Sequence, residues 1–349
     1  MDPYEKSKRG TERYRKVLKL MKKIYGYESF RPKQYEIINR AISGKDVCAI
    51  LPTGYGKSIC FQVPALYLGT PAVIISPLIS LMDDQRYILK ELGITSCCFN
   101  SQVADRSKMR REILDGEYQF VYITPEAVVK MQDFLVELHE RVGISLIAID
   151  EAHCISAYGF DFRRSYREIT FFKSILPEVP IMAVTATATS VVCQDICDVL
   201  SLECEPIKTS FDRPNLYLEV RQRSKTIAGD ILPIIRDHPD KSIIIYCLTK
   251  KETNKVAETL HLHKIKCGLY HSDISTKDKT KTHTDFLKGK LKIVAATIAF
   301  GMGINKSDVR VVIHYGAPRN LEGYYQEIGR AGRDGRKAKC FTFFSYQDF

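Results

Sequence analysis

The chain has 349 residues, of which 45% are hydrophobic and 27% are charged, a composition typical of a globular protein with one or two domains. Its formal charge of +11 favours a polyanionic partner such as nucleic acid, although a merely solvated basic surface would have the same charge. No apolar run reaches membrane-spanning length, and the first residues are too charged for a secretory signal, which argues against a membrane or secreted protein. We therefore expect an intracellular, soluble protein, nuclear if the source is eukaryotic and otherwise cytoplasmic.

Eleven cysteines are scattered along the chain, several of them inside apolar runs. Cys193 and Cys197 lie at helical spacing near Cys204, but no second paired cluster completes a zinc site. We expect buried, reduced thiols and no bound zinc.

The first twenty residues are rich in Lys and Arg and have little apolar content before Val17. We expect residues 1–20 to form a basic arm that is either frayed or the start of a solvated helix. From Val17 onwards the apolar spacing predicts an amphipathic helix that ends near Gly26.

Short apolar runs then alternate with helical patterns, such as residues 80–92 and 107–114. This alternation predicts an α/β fold in which mostly parallel sheets are flanked by helices. The pattern restarts after the turn-forming segment 210–215, so we predict two tandem domains, residues 21–209 and 210–349. The predicted strands are residues 47–51, 73–76, 120–124, 146–150, 181–185, 242–247, 267–270, 292–296, 309–314 and 340–344.

Residues 51–58, Leu-Pro-Thr-Gly-Tyr-Gly-Lys-Ser, lie between a buried strand and a helical pattern that Pro64 is expected to interrupt. This layout is typical of a phosphate-binding P-loop. Gly54 and Gly56 let backbone N–H groups curl around phosphate oxygens, and the helix N-terminus adds a favourable dipole. Lys57 would neutralise the β- and γ-phosphates, while the Ser58 hydroxyl would hold Mg²⁺. A glycine-rich turn before a helix remains the alternative, because Leu51 stands where the full pattern has Gly.

Residues 147–153, Ile-Ala-Ile-Asp-Glu-Ala-His, place two carboxylates and an imidazole at the end of a predicted strand. Ligands of open α/β sheets bind at that end. Asp150 is suited to hold Mg²⁺ through its water shell, and Glu151 is suited to orient and deprotonate an attacking water. The alternative is a solvated loop, but the P-loop upstream favours the functional interpretation.

Together these segments resemble the superfamily 2 helicases, and specifically the RecQ family of DNA helicases, over nearly the whole chain. Residues 26–34 are similar to the family's segment upstream of the P-loop. There Tyr27 would stack on adenine, Gln34 would read its edge and Arg31 would support the site. Segments 76–85, 122–126 and 184–188 resemble the family's strand-contacting and coupling motifs, although each alone could be a turn or a cap.

The resemblance implies two RecA-like domains that use ATP and Mg²⁺. The implied nucleotide-binding residues are Tyr27, Arg31, Gln34, Thr53, Gly54, Tyr55, Gly56, Lys57, Ser58 and Gly303, with Ser58 and Asp150 holding the metal. The implied nucleic-acid and coupling residues are Ser76, Thr124, His153, Tyr158, Phe162, Arg163, Thr187, His271 and Thr297.

Residues 152–164 resemble the aromatic-rich loop that links DNA contact to ATP hydrolysis in the RecQ family. Aromatic rings beside Arg suit single strands, because bases stack on the rings and phosphates pair with the guanidinium. Phe162 and Arg163 match the family, whereas Tyr158 stands where it usually has Trp, and Ala157, Phe160 and Arg164 also differ. The alternative is an aromatic cluster with a packing role.

In the second domain, residues 244–247, 270–272 and 295–305 resemble elements that contact the nucleic-acid backbone and the nucleotide. Residues 324–335 carry Gln326, Arg330 and Arg333, and the two arginines are predicted to face one way on a helix. The resemblance implies that these arginines are arginine fingers. ATP would then lie with the two arginines on one side and Lys57 and Asp150 on the other. A solvated Arg face is the alternative.

The function implied by the resemblance is an ATP-dependent DNA helicase core that moves 3′→5′ on single-stranded DNA and unwinds tailed duplexes. The alternatives are an RNA helicase of the same superfamily and a nucleic-acid-binding module that no longer hydrolyses ATP. In most RecQ relatives a zinc-binding segment and a winged-helix domain follow the motor. We therefore expect weak unwinding of long duplexes unless a protein partner supplies a strand-separating element.

Overall fold

The computed structural model of the chain describes residues 2–100, 103, 105–159, 161–300 and 306–348. The chain divides into two compact units, Met1–Phe211 and Asp212–Phe349. The division falls in the predicted turn-forming segment 210–215. Each unit is built around its own parallel sheet, as the alternation of apolar runs and helical patterns predicted.

Unit 1 contains seven parallel strands among its described residues, in the order β3-β4-β2-β5-β6-β1-β7. Because all the strands are parallel, their carboxyl ends lie along one edge of the sheet. The strands are β1 (Val47–Ile50), β2 (Ala72–Ile75), β3 (Ser96–Phe99), β4 (Phe120–Ile123), β5 (Leu146–Ile149), β6 (Ile181–Thr185) and β7 (Ile207–Lys208).

Buried side chains form one cluster on each face of this sheet. Successive residues of β1 alternate between the clusters: Cys48 and Ile50 pack on one face, and Val47 and Ala49 on the other. Both faces are therefore covered, which is why the central strands are continuous apolar runs. The helices of unit 1 are α1 (Pro3–Lys8), α2 (Glu12–Tyr25), α3 (Gln34–Ile42), α4 (Lys57–Leu68), α5 (Ile79–Glu91), α6 (Arg106–Leu114), α7 (Pro125–Val128), α8 (Gln132–Arg141), α9 (Arg164–Arg167), α10 (Phe172–Ile175) and α11 (Ser190–Leu200).

Of the two expectations for the first twenty residues, the described part of this segment favours the start of a helix over a frayed arm. Helices α1 and α2 form here, and Tyr14 and Val17 of α2 are buried in a cluster with Phe30 and Tyr35. Burial of one apolar face stabilises α2 although its other face is highly charged. The predicted helix end at Gly26 is confirmed, because Gly26 caps α2 in the left-handed conformation.

Helix α4 continues through Pro64 to Leu68, so the expected interruption is absent. Residues 60–65 are all buried, and α4 packs against α3 and the sheet. This packing offsets the backbone hydrogen bond that a proline cannot donate inside a helix. The P-loop is therefore followed by a three-turn helix.

Unit 2 contains six parallel strands among its described residues, in the order β10-β11-β9-β12-β13-β8. Buried clusters again lie on both faces of the sheet. The strands are β8 (Leu216–Gln222), β9 (Ser242–Cys247), β10 (Cys267–Tyr270), β11 (Ile293–Ala296), β12 (Val309–Tyr315) and β13 (Ala338–Phe344), and the helices are α12 (Ile227–Asp237), α13 (Lys250–Leu262), α14 (Thr276–Leu287) and α15 (Leu321–Ile328).

All eleven cysteines lie in the described ranges, and none is paired in a disulfide. Ten are buried and Cys204 is half-buried. Within the described ranges, no helix combines the length and the hydrophobicity needed to cross a membrane.

Candidate nucleotide site and nucleic-acid interface

The loop between β1 and α4 has the conformation that its glycines allow. Gly54 and Gly56 have φ angles of 78° and 86°, in the left-handed region that side chains disfavour. A Cβ atom on Gly56 would also lie 2.6 Å from the Gln34 Nε2 atom, so a side chain there would push the Gln34 amide aside. Gly56 caps the N-terminus of α4, and the flanking Thr53, Tyr55 and Ser58 are half-buried. Free N–H groups at such a helix start suit phosphate oxygens.

Lys57 and the two carboxylates after β5 meet at the carboxyl edge of the sheet. The Lys57 Nζ atom lies 3.6 Å from the Glu151 Oε1 atom, and both side chains are largely buried. Burial, and then the neighbouring Glu151 carboxylate, raise the pKa of Asp150 to about 7, although the Lys57 charge opposes this shift. The Asp150 carboxylate and the Ser58 hydroxyl are oxygen donors of the kind that Mg²⁺ prefers, and a bound cation would favour the ionised form of Asp150.

The backbone around Asp150 is tightly constrained. Glu151 has φ 50° and ψ 44°, an uncommon conformation for a residue with a side chain. The Asp150 Oδ1 atom accepts a hydrogen bond from the Glu151 N–H at 2.9 Å, and the Asp150 carbonyl accepts one from the Tyr166 hydroxyl at 2.9 Å. Tyr166 is fully buried and was not singled out in the sequence. These contacts fix where the two carboxylates lie.

The segment before α3 is tied to the P-loop. The Gln34 amide accepts a hydrogen bond from the Arg31 N–H at 2.8 Å and donates one to the Tyr55 carbonyl at 3.0 Å. The Arg31 guanidinium donates to the Gly54 carbonyl and lies over the Tyr55 ring, 5.5 Å from its centroid. A Gln amide has a further donor and a further acceptor position, which suits an adenine edge. Tyr27 is 49% exposed, and its ring is stacked on that of Tyr25 with the centroids 6.5 Å apart.

A hydroxyl of β6 links His153 to the end of that strand. The Thr185 Oγ1 atom lies 2.9 Å from the His153 Nδ1 atom and donates to the Thr187 carbonyl at 3.2 Å. Burial lowers the pKa of His153, so the imidazole is neutral near pH 7. Thr185 therefore bridges the carboxylate segment and residues 186–188. It lies within the predicted motif 184–188, but the local pattern contains no reason to prefer it to Thr187.

Two predicted coupling residues place buried hydroxyls at the same edge of the sheet. Ser76 follows β2 and Thr187 follows β6, and both side chains are buried. Neither hydroxyl oxygen has a hydrogen-bond partner among the described residues. Buried polar atoms of this kind normally have a partner, so a bound ligand or water is the expected one. Thr124 is half-buried at the start of α7, and its side chain makes no capping bond.

The aromatic-rich loop exposes two of its rings. Tyr158 is 73% exposed and Phe162 is 45% exposed, as stacking on bases would require. Phe160 lies outside the described residues. Arg163 differs from the expectation of a phosphate contact, because its guanidinium donates to the Pro77 carbonyl at 3.1 Å and pairs with Asp161 at 3.1 Å. In this structure Arg163 anchors the loop to the segment after β2.

One group of potential metal ligands lies at the base of this loop. Within the described ranges, donor atoms of His153, Cys154 and Asp161 lie within 4.8 Å of one another. His153 already bonds Thr185, and Asp161 pairs with Arg163. The expected absence of zinc stays a prediction.

In unit 2 the predicted contact residues lie near the carboxyl ends of β10 and β11. His271 is buried, and its Nε2 atom lies 3.1 Å from the Asn254 Oδ1 atom. Thr297 is half-buried, and its N–H donates to the Tyr270 carbonyl at 3.2 Å. Gln326 is half-buried on α15. Gly301 and Gly303 lie outside the described residues.

The two candidate arginine fingers do not lie on a helix, which corrects the prediction from their spacing. Helix α15 ends at Ile328, and residues 329–336, which we name the arginine loop, form turns. Gly332 has φ 57°, so the chain leaves the helical path between the two arginines. Arg330 is 3% exposed, whereas Arg333 is half-buried and its Nε atom donates to the Gly329 carbonyl at 3.4 Å.

The arginine loop is held by two residues more than 110 positions earlier in the chain. The Asn215 amide donates to the Gly332 carbonyl at 2.9 Å and to the Arg336 carbonyl at 3.0 Å. The Arg213 guanidinium donates to the Ala331 carbonyl at 2.9 Å and to the Gly332 carbonyl at 3.2 Å. Both residues lie in segment 210–215, which the sequence identified only as a turn.

Comparison with known protein families gives two matches in tandem. Residues 31–196 match the model described as DEAD/DEAH box helicase, and residues 226–335 match the model described as helicase conserved C-terminal domain. The first match contains the P-loop and the Asp150–Glu151 pair, and the second contains the arginine loop up to Gly335. The chain thus carries a DEAD/DEAH box helicase domain followed by a helicase C-terminal domain.

Curated relatives match nearly the whole chain but are longer. The chain is 66% identical over 350 residues to "Putative ATP-dependent RNA helicase R290" of Acanthamoeba polyphaga mimivirus, covering 100% of this chain and 64% of that protein. It is 42% identical to the mouse "Bifunctional 3'-5' exonuclease/ATP-dependent helicase WRN", covering 96% of this chain and 24% of the relative. It is 38% identical to the rat "ATP-dependent DNA helicase Q1", covering 95% and 56% respectively.

Solved structures share the fold at low identity. "S. cerevisiae Dbp5 bound to RNA and ADP BeF3" has a TM-score of 0.73 and 20% identity, covering 95% of this chain and 88% of that chain. "Structure of Mycobacterium smegmatis helicase Lhr bound to ssDNA and AMP-PNP" has a TM-score of 0.71 and 18% identity, covering 97% and 48%. Each unit is a RecA-like domain, a parallel sheet flanked by helices, as the resemblance implied.

Proposed function

We propose, from the premise that this chain carries a DEAD/DEAH box helicase domain and a helicase C-terminal domain, that it is an ATP-dependent DNA helicase of the RecQ type. The observation that carries this proposal is the meeting of Lys57 with Glu151 at 3.6 Å, beside Asp150 and below a glycine loop in the left-handed conformation. Relatives named as helicases of the Q and WRN types, 38% and 42% identical, support the choice of family.

ATP is the proposed substrate of the site in unit 1. Gly54 and Gly56 leave room for phosphate oxygens, and Lys57 would exchange its contact with Glu151 for the β- and γ-phosphates. Mg²⁺, when bound to Ser58 and Asp150, would neutralise developing phosphate charge. Glu151 would accept the proton of the attacking water, because release from Lys57 leaves its carboxylate available as a base.

The nucleic-acid side of the proposal rests on residues beside this site. Tyr158 and Phe162 would stack on bases, and the hydroxyls of Ser76 and Thr187 would bond the backbone of the bound strand. His153 would sense the nucleotide through Glu151, 3.3 Å away, and pass that state to residues 186–188 through Thr185. Arg163 would act as a positioning residue for the aromatic-rich loop.

Residues of unit 2 complete the proposed motor. His271 and Thr297 are assigned to the backbone of the bound strand, as is Thr124 in unit 1. Contacts to the backbone give little sequence preference. Arg330, Arg333 and Gln326 are assigned to the triphosphate, where the arginines would stabilise charge in the transition state. We also propose, from the resemblance, that Gly303 contacts the nucleotide. Movement in the 3′→5′ direction and unwinding of tailed duplexes come from the resemblance, as does a protein partner that separates strands.

An RNA helicase is the second candidate. It is favoured by one observation, the name of the mimivirus relative, which is 66% identical over the full length of this chain. The two candidates share the ATP site and differ only in the strand that stimulates hydrolysis. A binding module without ATPase activity is disfavoured, because Lys57, Asp150 and Glu151 retain the residue types and contacts that hydrolysis requires.

The deciding experiment measures ATP hydrolysis alone, with single-stranded DNA, and with RNA of the same sequence. We expect stronger stimulation by DNA. Stronger stimulation by RNA would transfer the proposal to the second candidate, and hydrolysis that neither strand changes would refute both. Lys57→Ala is the control for contaminating ATPases. It should abolish hydrolysis and leave the circular dichroism spectrum unchanged, because Lys57 contributes a charge at the site and not packing in the core.

A further inference from the structure

Helix α2 separates a buried apolar face from a solvent-facing basic face. Tyr14, Val17 and Met21 are buried against the rest of unit 1. At 100° per residue, the exposed cations occupy an arc of about 120° on the opposite side of the helix. This basic face consists of Arg15, Lys16, Lys19, Lys22 and Lys23.

The basic face is held in place from both ends. Thr11 caps the start of α2 by accepting a hydrogen bond from the Tyr14 N–H, and Gly26 caps its end. Helix α1 is fixed in turn, since the Tyr14 hydroxyl donates to Glu5 at 2.7 Å and the Asp2 carboxylate pairs with Lys33 at 3.2 Å. The cations are therefore presented on a packed helix and not on a disordered tail.

Few negative charges compensate the basic face. Residues 2–25 contain nine Lys or Arg and three Asp or Glu, so this short segment contributes +6 to the formal charge of +11. Lys16 pairs with Glu12 and Lys22 with Glu28, each at 2.7 Å, but these pairs are exposed and therefore weak. Within the described part of the chain, no carboxylate pairs with Lys19 or Lys23.

We propose that the basic face of α2 is a docking surface for the phosphate backbone of duplex nucleic acid, separate from the strand-contacting residues assigned above. The face spans about 12 Å, since eight helical steps of 1.5 Å separate its ends, and a duplex presents about one charge per 1.7 Å. This inference rests on the proposed function, because a helicase that opens tailed duplexes meets a duplex as well as a single strand.

Two other polyanions fit this face less well. A single strand is normally held by aromatic stacking as well as by cations, and residues 12–25 present no aromatic ring on the basic face. A membrane-binding helix inserts its apolar face into the lipid, whereas the apolar face of α2 is buried in the protein. Duplex backbone binding needs only the fixed row of cations.

The test compares two triple variants with the same change of charge. The test variant is Lys19→Gln, Lys22→Gln and Lys23→Gln. The control variant is Lys241→Gln, Lys266→Gln and Lys292→Gln. These three exposed lysines directly precede β9, β10 and β11, at the edge of the unit 2 sheet opposite to its assigned residues. All six side chains lie outside the assigned ATP site, so basal ATPase and melting temperature should be unchanged in both variants.

Binding to a blunt DNA duplex is measured over a series of salt concentrations. For the test variant we expect weaker binding and a plot of log K against log salt that is shallower by about 2–3, as expected for three lost phosphate contacts. The control variant should stay close to the wild type. Equal losses in the two variants would overturn the proposal, because only net charge would then matter.

Two further probes separate the possible ligands. Loss of affinity for an unstructured single strand, with duplex affinity unchanged, would reassign the face to single strands and overturn the duplex proposal. A different outcome would be that the wild type binds phosphatidylserine vesicles and the test variant does not, while duplex affinity is unchanged. That outcome would overturn the duplex proposal in favour of a membrane surface. If no nucleic acid stimulates the wild-type ATPase, the proposed function fails, whereas the duplex titrations still decide the role of α2.

Discussion

Removing the Asn215 side chain should loosen the arginine loop without touching either candidate finger. In Asn215→Ala the loop loses the amide hydrogen bonds to the carbonyls of Gly332 and Arg336. Both carbonyls keep another donor, since Arg213 reaches Gly332 at 3.2 Å and Arg310 reaches Arg336 at 3.3 Å. Neither carbonyl is left buried and unpaired, but the change also removes the bond that the Asn215 Oδ1 atom accepts from the Arg213 Nε atom at 3.3 Å, so three hydrogen bonds are lost in all.

At about 0.5–1.5 kcal/mol net for each of the three bonds, the free energy of unfolding should fall by about 1.5–4.5 kcal/mol. The catalytic effect should be larger than this suggests, because displacing a group by about 1 Å can lower a rate by up to about 10²-fold. We expect the kcat of the strand-stimulated ATPase to fall while the KM for ATP changes little, since Arg330 and Arg333 are assigned to the transition state.

The assay combines urea unfolding, followed by circular dichroism because the chain lacks Trp, with ATPase kinetics at saturating single-stranded DNA. The control is Asn39→Ala, which removes an asparagine side chain with two hydrogen bonds, one to the Tyr4 hydroxyl at 2.8 Å and one from Arg13 at 3.3 Å. It should also lower stability but leave kcat unchanged. A destabilised Asn215→Ala protein with wild-type kcat would refute the positioning argument, and wild-type stability would refute the contribution of the three bonds.

Three other changes test separate parts of the structure. Arg333→Ala should lower kcat by about 10³-fold with a much smaller change in KM, and a defect confined to KM would reassign Arg333 to ground-state binding. Tyr158→Ala should keep basal ATPase and weaken its stimulation by single strands, whereas unchanged stimulation would remove this exposed ring from the coupling residues. Burial, and then the neighbouring Asp83 carboxylate, raise the pKa of Asp84 to about 7. Because the ionised form of Asp84 therefore opposes folding, the free energy of unfolding should fall as pH rises from about 4 to about 7. Asp84→Asn should therefore raise the melting temperature near pH 8 but leave it unchanged near pH 4. The control Glu91→Gln, on the exposed side of the same helix, should leave the melting temperature unchanged at both pH values.

The sequence was most informative where a strand is buried on both faces. Each of the ten predicted strands matches an observed strand to within about two residues at its ends. Nine of them are central strands of a doubly covered sheet, which are continuous apolar runs, and β10 lies at an edge. The three strands that were not predicted, β3, β7 and β8, lie at sheet edges. In β8 the side chains of Tyr217, Leu218 and Val220 are half or more exposed, so its apolar residues are not explained by burial.

The chemistry at the carboxyl edge of the unit 1 sheet was predictable for a topological reason. Lys57, Asp150 and Thr187 each follow a strand, and parallel strands end at one edge, so segments far apart in sequence are brought together. What the sequence could not give is which atoms then bond. Thr185 and Thr187 are both polar residues at the end of β6, and only the structure shows that the first one bridges to His153.

The arginine loop shows why local spacing was insufficient. Arg330 and Arg333 are three residues apart, which on a helix would place them on one side, but Gly329 and Gly332 allow the chain to turn instead. The turn is favoured over the helix because Arg213 and Asn215 supply four donors to carbonyls of residues 331, 332 and 336. A Cβ atom on Gly332 would lie 2.5 Å from the Asn215 Nδ2 atom and 2.7 Å from the Arg336 carbonyl oxygen, so the tethered turn requires glycine at this position. The positions of the two arginines are therefore set by a contact about 117 residues distant in sequence, which a reading of the local pattern does not contain.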